Sequence, residues 1–322
     1  MSFTVKLWGV RGSIPRPEIP ALLHQRIVQL IHDFAASGKS AKEFTDRLSL
    51  PLIGGYGGNT TCVEARSGDD RVIIDAGSGL RELGMTLLPT PLGRGQGEVH
   101  MFFTHFHWDH LIGLPFFVPL FIPGNRIHFY AVQQDLAKVV RQLFTRPYFP
   151  VSFEELGSKI EFHTLQPRQK LKINGFEVTP YELDHPDPCW GFRVERGGRA
   201  YAHCVDTECA RQTREELGPD LPLYSSADVM LFDAQYTLTE IVDKANWGHA
   251  VAGFGLDLAM RENIKQVLFV HHDPYAAHEK IAAAEAQARI YYESRISEFK
   301  AEGKKIQPVD WSFAVEGMEI EI

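Results

Sequence analysis

The segment His105-Phe106-His107-Trp108-Asp109-His110 constrains the chain more than any other. Three imidazoles and one carboxylate fall within six residues, directly after the apolar run at 99–103. Neutral imidazole and carboxylate suit zinc, manganese or iron, and four such groups at a strand end are costly to pack unless a cation draws them together. On a strand-like stretch, residues two apart face the same way. His105 and His107 can therefore grip one ion, while Asp109 and His110, on the turn that follows, can face a second.

The remaining pattern supplies a frame for such a cluster. An opening strand at 1–8 is followed by apolar runs bounded by turn residues at 60–65, 71–75, 99–105, 127–130, 176–181, 191–195, 199–203, 229–233 and 266–271. Their β-branched and aromatic content reads as buried strand. Apolar residues at helical spacing occupy 19–36, a helix follows at 253–262, and an Ala- and Glu-rich amphipathic helix spans 278–300. Strands with covering helices predict a layered α/β arrangement, and 322 residues that are 44% hydrophobic can bury a full core. The expectation is a single domain over 1–322 with an inserted helical segment at about 13–57, entered through Pro15, Pro17 and Pro20 and left through Gly54-Gly55-Tyr56-Gly57-Gly58. That segment reads either as a helical cap or dimer element or as a decoration with no role at the site.

Charge narrows the partners. Lys plus Arg number 33 against 41 Asp plus Glu, a net charge of −8, whereas a broad phosphate-binding surface needs the opposite sign. Extended nucleic-acid binding is not expected, and small substrates are favoured. No apolar run reaches 18 residues and the N-terminus lacks a basic, then apolar, leader, so a cytoplasmic protein without membrane contact is expected. Cys62, Cys189, Cys204 and Cys209 show no Cys-x-x-Cys spacing and read as reduced thiols.

His-x-His-x-Asp-His after a strand resembles the signature of the metallo-β-lactamase superfamily, and further motifs extend the likeness over most of the chain. Val72-Ile73-Ile74-Asp75-Ala76-Gly77-Ser78-Gly79 is similar to that family's strand-Asp-x-Gly element. His185-Pro186, with Gly191-Phe192-Arg193, resembles the His-Pro and Gly-Tyr-Arg of the ribonuclease Z branch. Cys204-Val205-Asp206-Thr207 resembles its Gly-Asp-Thr, with valine for glycine, and Gly248-His249-Ala250 its Gly-His-Ser, with alanine for serine. The resemblance implies an αββα sandwich with a helical N-terminal insertion. It implies two divalent metal ions per chain, zinc first, with manganese or iron as alternatives. His105, His107, His185 and Asp206 would hold one ion; Asp109, His110, Asp206 and His271 would hold the other, with His272 competing for the last place. Asp75 would support the ligands from behind. Asp109 and His249 take the catalytic roles, Asp109 orienting the nucleophile and His249 contacting the phosphate or protonating the leaving oxygen, unless His249 merely caps the helix after it. His24, His32, His100, His128, His163, His203 and His278 sit alone in the sequence and read as structural.

The implied activity is metal-dependent hydrolysis of a phosphodiester. Enzymes of that branch that process tRNA carry an extended arm between the third histidine and the bridging aspartate, but His185 and Asp206 are only 21 positions apart, room for a hairpin alone. A small phosphodiester is therefore expected, a cyclic nucleotide or another cyclic phosphate. The alternatives are a ribonuclease Z-like endonuclease or an exonuclease, then a lactone or thioester hydrolase. A redox or oxygen sensor would need a flavodoxin partner domain that the chain lacks. A homodimer is expected, from the branch and from the apolar helix of the insertion.

Overall fold

The computed structural model describes residues 2–304 and 307–322. Fourteen strands are present among them: β1 (Thr4–Gly9), β2 (Cys62–Ser67), β3 (Asp70–Ile74), β4 (Glu98–Phe102), β5 (Arg126–Ala131), β6 (Lys159–Thr164), β7 (Leu171–Ile173), β8 (Phe176–Glu182), β9 (Trp190–Arg196), β10 (Arg199–Cys204), β11 (Val229–Asp233), β12 (Gln266–Val270), β13 (Asp310–Phe313) and β14 (Glu319–Glu321). They form two seven-stranded sheets, ordered β14-β1-β2-β3-β4-β5-β6 and β13-β12-β11-β10-β9-β8-β7. In each sheet four neighbouring strands run parallel, β3 to β6 in the first and β10 to β13 in the second. Strands covered on both faces read as continuous apolar runs, as Val229-Met230-Leu231-Phe232 does.

Side-chain alternation divides the apolar residues into three layers. Val63, Ile74, Phe102, Val194, Tyr201 and Leu268 fill the space between the sheets. The helices, in chain order, are α1 (Pro20–Ser37), α2 (Ala41–Thr45), α3 (Leu50–Gly54), α4 (Leu80–Leu87), α5 (Leu136–Leu143), α6 (Arg214–Leu217), α7 (Ala252–Glu262) and α8 (His278–Ala301). Helices α4 and α5 cover the outer face of the first sheet, over Ile73, Met101 and Phe129. Helices α7 and α8 cover the second, over Phe232 and Phe269. The result is an αββα sandwich.

Strand β4 stops at Phe102, three residues before the expected end at 105, and residues 103–107 are irregular. Four strands escaped the reading of the sequence. Strands β7 and β14 have three residues each, too few for a period to show, while β6 is a half-buried edge carrying Lys159, Glu161 and His163; β13 is short and only partly buried. The inserted segment is helical, as α1, α2 and α3, but none of the three buries a residue. Ile27, Ile31 and Phe34 of α1 stay exposed. All four cysteines are buried and unpaired, and no described helix is long and apolar enough to cross a membrane.

Candidate metal centre

Ligand-type side chains converge where the parallel strands of both sheets end. Asp75 follows β3, the 105–110 segment follows β4, Asp206 follows β10, Asp233 ends β11 and His271 follows β12. The carboxyl ends of parallel strands are where α/β folds place their sites. Asp75, Asp206 and His271 each take a left-handed backbone, with φ of 61°, 62° and 63°. Asp and His are among the few side chains that tolerate this region, and it turns each side chain off the line of its strand.

Two groups of donors hold the ligands expected from the sequence, and a third overlaps them, joining Asp206 and His271 to Asp233 and His249. The donor atoms of His105, His107, His185 and Asp206 lie within 4.8 Å of one another, as do those of Asp109, His110, Asp206 and His271. Asp206 belongs to both: its Oδ2 lies 3.1 Å from His105 Nε2 and 3.2 Å from His110 Nε2, and its Oδ1 lies 2.9 Å from His271 Nε2. His271 Nε2 is also 3.1 Å from Asp109 Oδ2. His272 instead meets the carbonyl of Ala314 at 2.8 Å, away from this cluster. His105 and His107 do face one place, with ring centroids 4.4 Å apart, although the backbone between them is not strand. The 3₁₀ turn at Trp108–His110 aims Asp109 and His110 at the other. His107 is the least enclosed, and its Nε2 is held by Asp187 Oδ2 at 2.9 Å.

Two features fit divalent ions. His105 Nε2, His110 Nε2, His185 Nε2 and Asp206 Oδ1 are buried without a hydrogen-bond partner, although such atoms in a protein interior are nearly always satisfied. Atoms facing one another near 3 Å without hydrogen-bond alignment are arranged for something between them. The field also favours a cation. Burial alone would strip the proton from His271, yet Asp206 and Asp109 outweigh it and push the ring up to about 10. At His105 burial and His110 outweigh the same Asp206 and push the ring down to about 4, the neutral form a metal requires. Behind the cluster, Asp75 Oδ2 meets His110 Nδ1 at 2.9 Å while its Oδ1 accepts the Thr104 N–H at 2.9 Å. Burial opposes that charge, but His110 and His203 hold the carboxyl well below its usual range, so the imidazole's other nitrogen is fixed facing the centre.

Several participants were not foreseen. The Ser13 N–H donates to Asp109 Oδ2 at 2.7 Å, so the root of the insertion touches the centre although its helices do not. Asp233, fully buried, meets His249 Nδ1 at 2.8 Å. That pairing takes up Nδ1 alone, and helix α7 has Val251 as its N-cap with no side-chain cap bond, so His249 does not cap it. A cleft of ≈310 Å³ opens between Ser13, Phe106, Trp108, Asp109, His249 and His271. Two glycines permit the packing. A Cβ on Gly12 would collide with the His271 ring, and one on Gly248, whose φ is +87°, with the ring of His185. Gly12→Ala is expected to weaken metal affinity on the His271 side by ~10–100-fold, the usual cost of disturbing a supporting contact. A metal titration of the variant reads this directly, and an unchanged affinity would show that His271 can move aside freely.

The model of the beta-lactamase superfamily domain matches residues 70–272, which include every donor of both groups. The chain belongs to the beta-lactamase superfamily. Among relatives, ribonuclease Z of Staphylococcus carnosus (strain TM300) is 26% identical over 192 residues, covering 55% of this chain and 58% of that protein. The chain thus spans little more than half the length of that relative. Among solved structures, the metallo-beta-lactamase fold protein YhfI from Bacillus subtilis superposes with a TM-score of 0.61 at 16% identity, over 100% of both chains. The short form of human tRNase Z superposes with a TM-score of 0.58 at 17% identity, over 98% of both. These likenesses show that the sandwich is the superfamily's fold.

Proposed function

We propose that this superfamily member is a metal-dependent hydrolase of phosphodiesters. The observation that carries the reading is the single buried Asp206 shared by two donor groups beside a histidine held by its own buried carboxylate. Two divalent ions held there would activate water and clamp the attacking and leaving oxygens of an in-line displacement at phosphorus. The nitrogen-rich donor sets suit zinc, with manganese or iron as alternatives. Asp109, fixed by the Ser13 N–H, orients the attacking oxygen. His249 Nε2, with Asp233 holding the opposite nitrogen, contacts the phosphate and gives a proton to the leaving oxygen.

A small substrate, such as a cyclic nucleotide, is supported by the tight β9–β10 hairpin, joined only through Gly197-Gly198, and by the acidic balance of the chain. Trp108, 69% exposed at the cleft, offers a face on which a base can stack. Stacking contributes ~1–3 kcal/mol per base, so Trp108→Ala is expected to raise KM for a nucleotide roughly tenfold with kcat little changed. Equal KM values would remove the stacking role. The ribonuclease Z relatives support a second reading, cleavage of tRNA precursors. Metal-loaded protein assayed against cyclic nucleotides, bis-aryl phosphates, tRNA precursors, lactams and thioesters separates the two. Turnover of lactams or thioesters alone would overturn the phosphodiesterase reading. The exposed apolar face of α1 supports a homodimer through the insertion, which light scattering at micromolar concentration tests; a monomer there removes it.

A further inference from the structure

Three histidines that sit apart in the sequence are gathered by the parallel register of the first sheet, His100 and His128 midway along β4 and β5 and His163 next to last on β6. His100 stands opposite His128 across β4 and β5, while Glu98 precedes His100 by two and so shares its face. The imidazoles of His100 and His128 are stacked with centroids 4.8 Å apart, and both residues are buried. They are not the isolated structural residues that the sequence suggests.

The bonding within this cluster is that of ligands held ready. His100 Nδ1 is taken by the Tyr130 hydroxyl at 3.0 Å, and His128 Nδ1 by His163 Nε2 at 3.0 Å. Each ring is thereby oriented with its Nε2 turned to Glu98, as metal-bound histidines are oriented through their other nitrogen. Glu98 Oε1 lies 2.7 Å from His128 Nε2 and 3.7 Å from His100 Nε2. Around tetrahedral zinc, with bonds of about 2.0–2.1 Å, neighbouring donors stand roughly 3.3 Å apart, and the two observed separations bracket that value. At 2.7 Å a hydrogen bond would be expected, yet His128 Nε2 is buried without one, the same misalignment that marks His105 and His110.

We propose that Glu98, His100 and His128 form a further site for a single zinc-class divalent cation, pinning β4 to β5. Arg126, whose guanidinium is 3.5 Å from Glu98 Oε1, competes for the carboxylate and sets the site's affinity below that of the centre. A cation bound there shares no ligand with the Asp206 groups, so its presence does not depend on the proposed activity.

The test is zinc content by mass spectrometry after equilibration at micromolar free zinc. Glu98→Gln and His128→Asn are each expected to hold one zinc fewer than the parent, with hydrolysis of a nitrophenyl phosphodiester unchanged. Asp206→Ala is expected to keep this one ion. Glu98→Gln alters a half-exposed side chain, so it remains informative if His128→Asn fails to fold. Equal zinc content in parent and Glu98→Gln overturns the site, as does complete zinc loss in a folded Asp206→Ala.

Discussion

Replacing Asp206 by alanine is expected to empty both positions of the centre and reduce hydrolysis to background. Its two oxygens are the atoms that His105, His110 and His271 share, so no other substitution removes a donor from both groups at once. The loss should also appear in stability. An ion that binds only the folded chain stabilises it by about 4 kcal/mol when present at a thousand times its Kd, and in a protein of this size each kcal/mol moves Tm by ~1.5 °C. The parent is therefore expected to lose at least ~6 °C when treated with a chelator, and the variant far less. Calorimetry with and without chelator, beside metal analysis, checks both halves. A variant that retained two ions, or a parent whose Tm ignored chelation, would dismiss the shared-ligand assignment.

His249→Ala should part chemistry from metal binding. With Nδ1 held by Asp233, and with the groups of His105 and of His110 each complete without it although it joins a third with Asp206, Asp233 and His271, its removal is expected to leave metal content intact while kcat falls by ~10²–10⁴, the usual contribution of a positioned proton donor. The deficit should shrink for a nitrophenyl ester, whose leaving oxygen departs without a proton. Asp233→Asn should reproduce part of the loss by releasing the ring. Asp109→Ala should differ from both, lowering metal occupancy and activity toward every substrate alike. Full activity of His249→Ala on a cyclic nucleotide with a poor leaving group, or loss of its metal, would refute the proton-donor role.

The centre was legible because its ligands follow apolar strands, which makes polar side chains conspicuous: Asp75 after Val72-Ile73-Ile74, and His271 after Val267-Leu268-Phe269-Val270. Asp233 carries the same signal at the end of Val229-Met230-Leu231-Phe232 but has no neighbouring ligand to draw notice. Ser13 acts through its backbone, which no side-chain pattern records. His100, His128 and His163 meet only through the register of three parallel strands, and register between strands separated by long connections is not a local property. His105 and His107 do not lie on strand, where residues two apart share a face; their rings meet, with centroids 4.4 Å apart, from an irregular segment.

The left-handed bends and shared carboxylate have a bearing on biosynthesis. The first sheet brings His105, His107, Asp109 and His110, while His185, Asp206 and His271 arrive with the second. A nascent chain cut short after β6 has half a claw and no Asp206 to close it. Full-strength capture of the ions must await release of His271 from the ribosome and docking of the two halves. Ions held as proposed would therefore load late, on a finished sandwich, and the metal content of freshly made protein would gauge how much of it has folded correctly.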